Sequence, residues 1–221
     1  MKPVMVLRLV MTAVFLALCG LILWRWQING WGSIVWLGTA LLMMIIRSPH
    51  EAKNKANKIT EKFAVSTERV LLGLVSLGGS ILPAIHLSTG VLSFADFEAP
   101  TWLPAIGLLI LVPGLWLFWR SHADLGRNWS VTTELREEHS LITNGVYQHI
   151  RHPMYSAIWL IFLAYPFLIH NWIVGPAGIL TFAIMYAVRV PVEESMMQQE
   201  FGAAYDAYME RTGRLWPSLK T

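Results

Sequence analysis

Six apolar stretches, about Leu9–Trp26, Trp31–Ile46, Val70–Leu92, Trp102–Trp119, Tyr155–Ile169 and Trp172–Val188, divide the chain, and most of its charged residues fall between them. An α-helix advances about 1.5 Å per residue, so crossing a bilayer takes roughly 17–25 mostly apolar residues. Only 14% of residues are charged and 55% are apolar, whereas a soluble domain carries about 25% charged residues. That composition excludes a disordered chain, and the single Cys19 excludes a disulfide scaffold. The pattern predicts an all-α polytopic membrane protein of about six transmembrane helices. The fifth and sixth stretches are separated by His170 and Asn171, which predicts a tight C-terminal helical hairpin.

The basic residues give the orientation. Of 17 Lys and Arg residues, 16 lie before the first stretch, after the second, after the fourth or after the sixth; Arg25 is the exception. The positive-inside rule puts that side, and both termini, in the cytoplasm. The expected localisation is a multi-pass protein of a bacterial inner membrane. The net charge of +3 reflects this topology, so membrane lipids are expected partners and nucleic acid is not. Leu16-Ala17-Leu18-Cys19 resembles a lipoprotein cleavage site, but Leu18 stands where a small residue belongs, and the first stretch reads as an uncleaved span. The sequence carries no statement of oligomeric state.

Two regions follow. Residues 1–119 hold spans one to four and a basic loop at 47–69, which reads as a solvated segment facing anionic headgroups. An intramembrane His is a functional candidate by default; His86, with no partner at helical spacing, reads as a packed residue. Residues 120–221 hold the chemistry, with a helical hairpin over 153–190 and a cytoplasmic C-terminal helix. Four histidines (His122, His139, His149, His152) lie close in sequence there, but without the Cys or H-E-x-x-H context of a zinc site, so no metal is expected. Rossmann and P-loop signatures are absent, as is a nucleophile elbow. Any cofactor must therefore be held by loops and helix ends at the membrane face.

Two segments carry the candidates. In the first, His139 to Tyr155, Asn144-Gly145 is a turn signal and Pro153 suits the first turn of a helix. That places a helix N-terminus beside Arg151, His152 and Tyr155, which suits a carboxylate or phosphate. An interfacial collar of Arg, His and Tyr is the alternative. In the second, Arg189 to Tyr208, the i, i+4 spacing puts Arg189 and Glu193 on one helix face if Pro191 only kinks the helix. Glu193 and Glu194 at the membrane boundary need partners, either an arginine or a cationic ligand. Met197, Phe201, Tyr205 and Tyr208 form an apolar stripe, read as a helix lying on the membrane face.

These segments resemble the isoprenylcysteine carboxyl methyltransferase family. The matching elements are L-x-T-x-G-x-Y-x-x-x-R-H-P-x-Y over Leu141–Tyr155, then R-x-x-x-E-E over Arg189–Glu194, then F-G-x-x-Y-x-x-Y-x-x-x-T-x-R-x-x-P over Phe201–Pro217. The resemblance covers about residues 120–218; R-H-P-x-Y alone also occurs in membrane sterol reductases. It implies S-adenosylmethionine as cofactor, bound without a Rossmann fold. It implies cofactor contacts from His139, Ser140, Leu141, Ile142, Tyr147, His152, Pro153, Met154, Tyr155 and Glu193, and an acceptor-carboxylate role for Arg189. Arg151 and Glu194 join the expected cofactor set, and Arg189 and Glu193 are the expected catalytic pair. A glutamine found upstream in some members has no clear counterpart; Thr132, Thr133 and Arg136 stand nearby. The acceptor implied is a lipophilic small molecule or lipidated protein bearing a carboxylate. The weighed alternatives are a sterol-type NADPH-dependent reductase, a methyltransferase acting on a thiol or lipid amine, and a transporter.

Overall fold

A computed structural model describes residues 3–54, 59–62, 65–126, 134–136 and 140–218. The described chain runs α1 (Pro3–Trp24), a short α2 (Trp26–Asn29), α3 (Gly32–Asn54), β1 (Ile59–Lys62) and α4 (Val65–Ser76). A π-helical turn (Leu77–Ile81) joins α4 to α5 (Leu82–Thr89), and α6 (Leu103–Leu125), β2 (Glu134–Arg136), α7 (Pro153–Leu168), α8 (Val174–Phe201) and α9 (Ala203–Arg211) follow. The fold is all-α in architecture. The sole β element among the described residues is the short antiparallel pair of β1 and β2.

All six apolar stretches are helical. Four segments, Gly32–His50, Ser66–Thr89, Leu103–Leu125 and Val174–Phe201, are long and apolar enough to cross a membrane, whereas Leu9–Trp24 and Pro153–Leu168 are shorter. The 16 residues of α7 span about 24 Å, less than the roughly 30 Å of a hydrocarbon core. The outer surfaces of these helices are apolar: Leu16, Ile45, Leu109, Val112 and Leu180 are all exposed. Exposed apolar area of that extent marks a lipid-facing surface, and the chain is an integral membrane protein.

The core lies between α6, α7 and α8, where Phe118, Ile161, Leu168, Val174 and Phe182 are fully buried. Glycines set the closest approaches. A Cβ on Gly79 would lie 2.5 Å from Cζ of Phe162, and one on Gly78 would lie 2.5 Å from Oγ1 of Thr181. The π-helical turn therefore presents two side-chain-free positions to the α7–α8 hairpin, and this brings α4 against α8. Small residues are the usual device for close helix contact in membranes.

The hairpin tip is pinned by its polar residues. Asn171 accepts hydrogen bonds from the Ile173 and Val174 N–H groups at the start of α8 and donates to Leu92 O and to Asp96 Oδ1 (2.6 Å). His86 has a partner from another segment: its Nε2 lies 3.3 Å from Asp96 Oδ1. These contacts fix the end of the bundle opposite to the one that carries the candidate site.

Candidate active site

Local sequence dictates how α7 begins. Pro153 occupies the first helical turn, and His152 is the N-cap residue, without a side-chain cap. Its backbone, with that of Arg151, pairs instead with the C-terminal tail. Arg151 N–H donates to Gly213 O (2.8 Å), His152 N–H to Arg214 O (3.0 Å), and Ser156 Oγ to Leu215 O (2.6 Å). The tail thus straps the entry to the hairpin, so residues about 60 positions apart in sequence become one unit.

Two carboxylates from α8 organise the cluster. Glu194 is 7% exposed and accepts from Arg151 Nε (3.2 Å), from Arg214 Nε (3.1 Å) and, in a second and shorter contact, from Arg214 Nη2. His152 Nε2 lies 3.2 Å from the same Glu194 Oε1; with that nitrogen protonated, it is a further donor. Arg151 also donates to Met209 O (3.0 Å) and to Thr212 O, which ties the end of α9 to α7. Glu193, whose side chain is 20% exposed, accepts from Tyr155 Oη (2.9 Å) and Arg189 Nε (2.8 Å), and its Oε2 lies 3.8 Å from His152 Nδ1. Helix α8 runs unbroken through Pro191, so the i, i+4 pairing of Arg189 and Glu193 is realised. Arg189 is 8% exposed, and its Nη2 lies 3.6 Å from Oε1 of Glu68 on α4.

An aromatic wall leads away from this cluster between α7 and α8. The Tyr155 ring lies 5.9 Å from Phe182 and 5.8 Å from Tyr186; Trp159 lies 5.2 Å from Phe182 and 6.0 Å from Tyr186. Tyr155 and Trp159 are one helical turn apart, as are Phe182 and Tyr186, so each helix contributes two rings that meet those of the other.

The other expected residues occupy the flank. Gly145, at φ 59° with the Asp124 carboxylate packed against it, allows a 3₁₀ turn over Gly145–Gln148. Asp124 accepts from the Val146 N–H (3.0 Å) and pairs with Arg120 (2.6 Å). Tyr147 is buried, with its Oη 3.4 Å from Ser121 O, and its carbonyl accepts from Tyr208 Oη (2.6 Å). Burial pushes Tyr208 up to about 12, with Arg151 and Arg211 pulling it back, and also raises Tyr147 and Tyr205. These phenols stay neutral, and those of Tyr147 and Tyr208 act as donors. The Glu194 hydrogen bond raises Arg214 further above its ordinary value. Pro153 is buried and Met154 half-buried in the first turn of α7; Ser140 is exposed, and Leu141 and Ile142 are half-buried in an irregular stretch. His139, Thr132 and Thr133 lie outside the described residues.

The structure therefore unites Arg151, His152, Tyr155, Arg189, Glu193 and Glu194. Three contributors carried no role in the sequence analysis. Arg214 sits in a motif that was noted there only as a pattern. Asp124 had a local signal, its i, i+4 spacing from Arg120. Glu68 had none, since an acid opening an apolar helix is ordinary.

Comparisons with known proteins identify the family and the fold. Residues 102–204 match the family model for phospholipid methyltransferases. Protein-S-isoprenylcysteine O-methyltransferase B of Arabidopsis thaliana is 30% identical over 163 residues, covering 71% of this chain and 77% of that protein. Protein-S-isoprenylcysteine O-methyltransferase of Mus musculus is 25% identical over 206 residues, 91% of this chain and 71% of its own length. The fold resembles that of the solved eukaryotic intramembrane Ras methyltransferase, an isoprenylcysteine carboxyl methyltransferase, with a TM-score of 0.51 at 23% identity over 84% of this chain and 63% of the other. With a relative matched at that identity over most of both chains, and with the family's motifs converging on one acid–base cluster, the chain belongs to the protein-S-isoprenylcysteine O-methyltransferase family.

Proposed function

We propose that this enzyme transfers a methyl group from S-adenosylmethionine to the carboxylate of a lipophilic, isoprenylcysteine-like acceptor at the cytoplasmic face of a bacterial inner membrane, with both termini in the cytoplasm. The observation that carries the reading is the pairing of Arg189 with Glu193 at the head of the aromatic wall between α7 and α8. It sets a cation for an acceptor carboxylate, and an acid for a cationic donor, next to apolar surface for a lipid tail. The chemistry falls in residues 120–221, and residues 1–119 supply the membrane scaffold.

The donor set fits the cofactor. S-adenosylmethionine brings an electrophilic methyl on a sulfonium, an ammonium, a carboxylate and a flat adenine. Glu193 retains exposed surface and suits the ammonium or the sulfonium charge. The α7 N-terminus, uncapped by its own N-cap side chain, suits the carboxylate together with His152. The resemblance assigns Ser140, Leu141, Ile142 and Tyr147 to the adenine, with His139 as a further contact. Arg151 and Glu194 serve by holding His152, α9 and the tail in register, since their polar atoms are committed to one another and to the tail.

An acceptor carboxylate is already ionised at neutral pH, so its oxygen can attack the methyl carbon without a general base. Bound there, S-adenosylmethionine would supply the methyl group, with the electron pair of the broken C–S bond left on sulfur and no proton to be moved. The protein's contribution is in-line positioning and removal of water from the nucleophile. Arg189 fixes the acceptor through its planar guanidinium, and Glu193, itself held by the Tyr155 hydroxyl, keeps Arg189 in place.

Titration of the detergent-purified protein with S-adenosylmethionine, S-adenosylhomocysteine and NADPH tests this reading. Saturable binding of the first two, weakened in Glu193→Ala and His152→Ala, is expected. Arg189→Ala should keep S-adenosylhomocysteine affinity and lose turnover. Tight NADPH binding without binding of either sulfur ligand would overturn the assignment in favour of a reductase.

A further inference from the structure

The first turn of α4 carries one acid, Glu68. The ordinary account of such a residue is that it faces water and complements the positive end of the helix. Here Glu68 is 4% exposed, and its Oε1 lies 3.6 Å from Arg189 Nη2. A carboxylate at the edge of a membrane-crossing segment is costly to bury without a partner, so its partner explains its burial. Arg189 is thereby gripped from two sides, by Glu193 through Nε and by Glu68 through Nη2. The grip joins α4 to α8, two helices that the glycines of the π-helical turn already hold close. Residue 68 lies outside the stretch, 102–204, that matches the family model.

We propose that Glu68 is a positioning residue for methyl transfer: it fixes the plane of the Arg189 guanidinium so that the acceptor carboxylate is aimed at the methyl group and not merely bound. This rests on the reading of Arg189 as the acceptor's anchor. A guanidinium presents its five donors in one plane. With Nε hydrogen-bonded to Glu193 and Nη2 attracted by the Glu68 carboxylate 3.6 Å away, rotation of that plane is restrained, and the acceptor meets a preferred orientation. Glu68 also has a cost to ground-state binding, because two carboxylates on one guanidinium repel each other. Its removal should therefore slow turnover while leaving acceptor binding level or tighter. A residue that only supports the fold would harm binding and turnover together.

The test uses the full chain in detergent or lipid, S-adenosylmethionine, and N-acetyl-S-farnesylcysteine as the acceptor probe. In Glu68→Gln, kcat is expected to fall by about ten-fold or more, the scale on which misorientation acts, while the acceptor KM stays level or falls. Binding of S-adenosylhomocysteine should be unchanged within about two-fold, because Glu68 pairs with Arg189, which is not among the expected cofactor contacts. Binding of the probe to the S-adenosylhomocysteine complex should hold or tighten, with no change for its methyl ester. Glu68→Asp keeps the charge and should recover part of kcat. An unchanged kcat in Glu68→Gln overturns the proposal. So does a lowered kcat with a raised KM and lost S-adenosylhomocysteine binding, the mark of a structural role. If the native protein binds S-adenosylhomocysteine but leaves the probe unmethylated, the acceptor reading itself fails and this proposal falls with it. A native protein that methylates the probe, beside a Glu68→Gln protein of equal kcat, sinks only the proposal.

Discussion

At the scale of single residues, burial decides what an ion pair is worth. Arg151 and Arg214 both pair with Glu194, but the Arg151 side chain is 11% exposed and the Arg214 side chain 49%. Removing Arg151 takes a buried partner from Glu194 and the donor from the Met209 and Thr212 carbonyls, and a buried acceptor left without its donor costs about 1–3 kcal/mol, whereas an exposed ion pair contributes about 0–1 kcal/mol. We predict that Arg151→Ala lowers the midpoint of thermal unfolding in detergent markedly and that Arg214→Ala changes it little; equal effects would contradict this ranking. Tyr208 gives a prediction in pH. Its folded pKa, about 12, exceeds the unfolded value near 10. The stabilisation is therefore fully present below pH about 10 and fades as pH rises toward 12. Amide exchange in α9, corrected for the intrinsic rate, should show constant protection from pH 6 to 9. Tyr208→Phe should lose the 2.6 Å bond to Tyr147 O and about 1 kcal/mol of docking free energy.

At the scale of elements, the hairpin and its approach to α4 carry the design. A Cβ on Gly79 would meet the Phe162 ring at 2.5 Å, and overpacking of this kind costs about 1–3 kcal/mol. Gly79→Ala is therefore expected to lower the unfolding midpoint and to weaken turnover, because it pushes Glu68 away from Arg189. Gly73→Ala, on the same helix but with open space around it, should be tolerated; similar losses in both would argue against the close approach. Much of this level was legible in the sequence. Apolar run length gave the six helices, Pro153 gave the start of α7, and the spacing of Arg189 and Glu193 gave their shared face. The π-helical turn, the tail strap and the Glu68 contact were not legible. The first depends on packing against Phe162 and Thr181, and the other two join residues that no local periodicity relates. Burial of Tyr147 was hidden too, since a tyrosine after a turn can as easily line a pocket as seal one.

At the scale of the whole molecule, the two sequence regions share one site. Residue 119 lies inside α6, and α4 of the first region delivers Glu68 to Arg189 of the second. The cluster is also electrically balanced: Arg151, Arg189 and Arg214 stand against Glu68, Glu193 and Glu194. Such a site admits a cationic methyl donor and an anionic acceptor with no net change of charge, which limits the desolvation cost of assembling both. In the proposed reading, the aromatic side chains of α7 and α8 would flank the lipophilic part of the acceptor next to this balance. The most direct measurement follows the methyl group itself, from isotopically labelled S-adenosylmethionine to N-acetyl-S-farnesylcysteine. A carboxyl methyl ester is cleaved by mild base, with release of labelled methanol, whereas a methylated amine or thiol is not. The account predicts base-labile label with the native protein and none with Arg189→Ala; base-stable label on a lipid amine or thiol, undiminished by loss of Arg189, would contradict it.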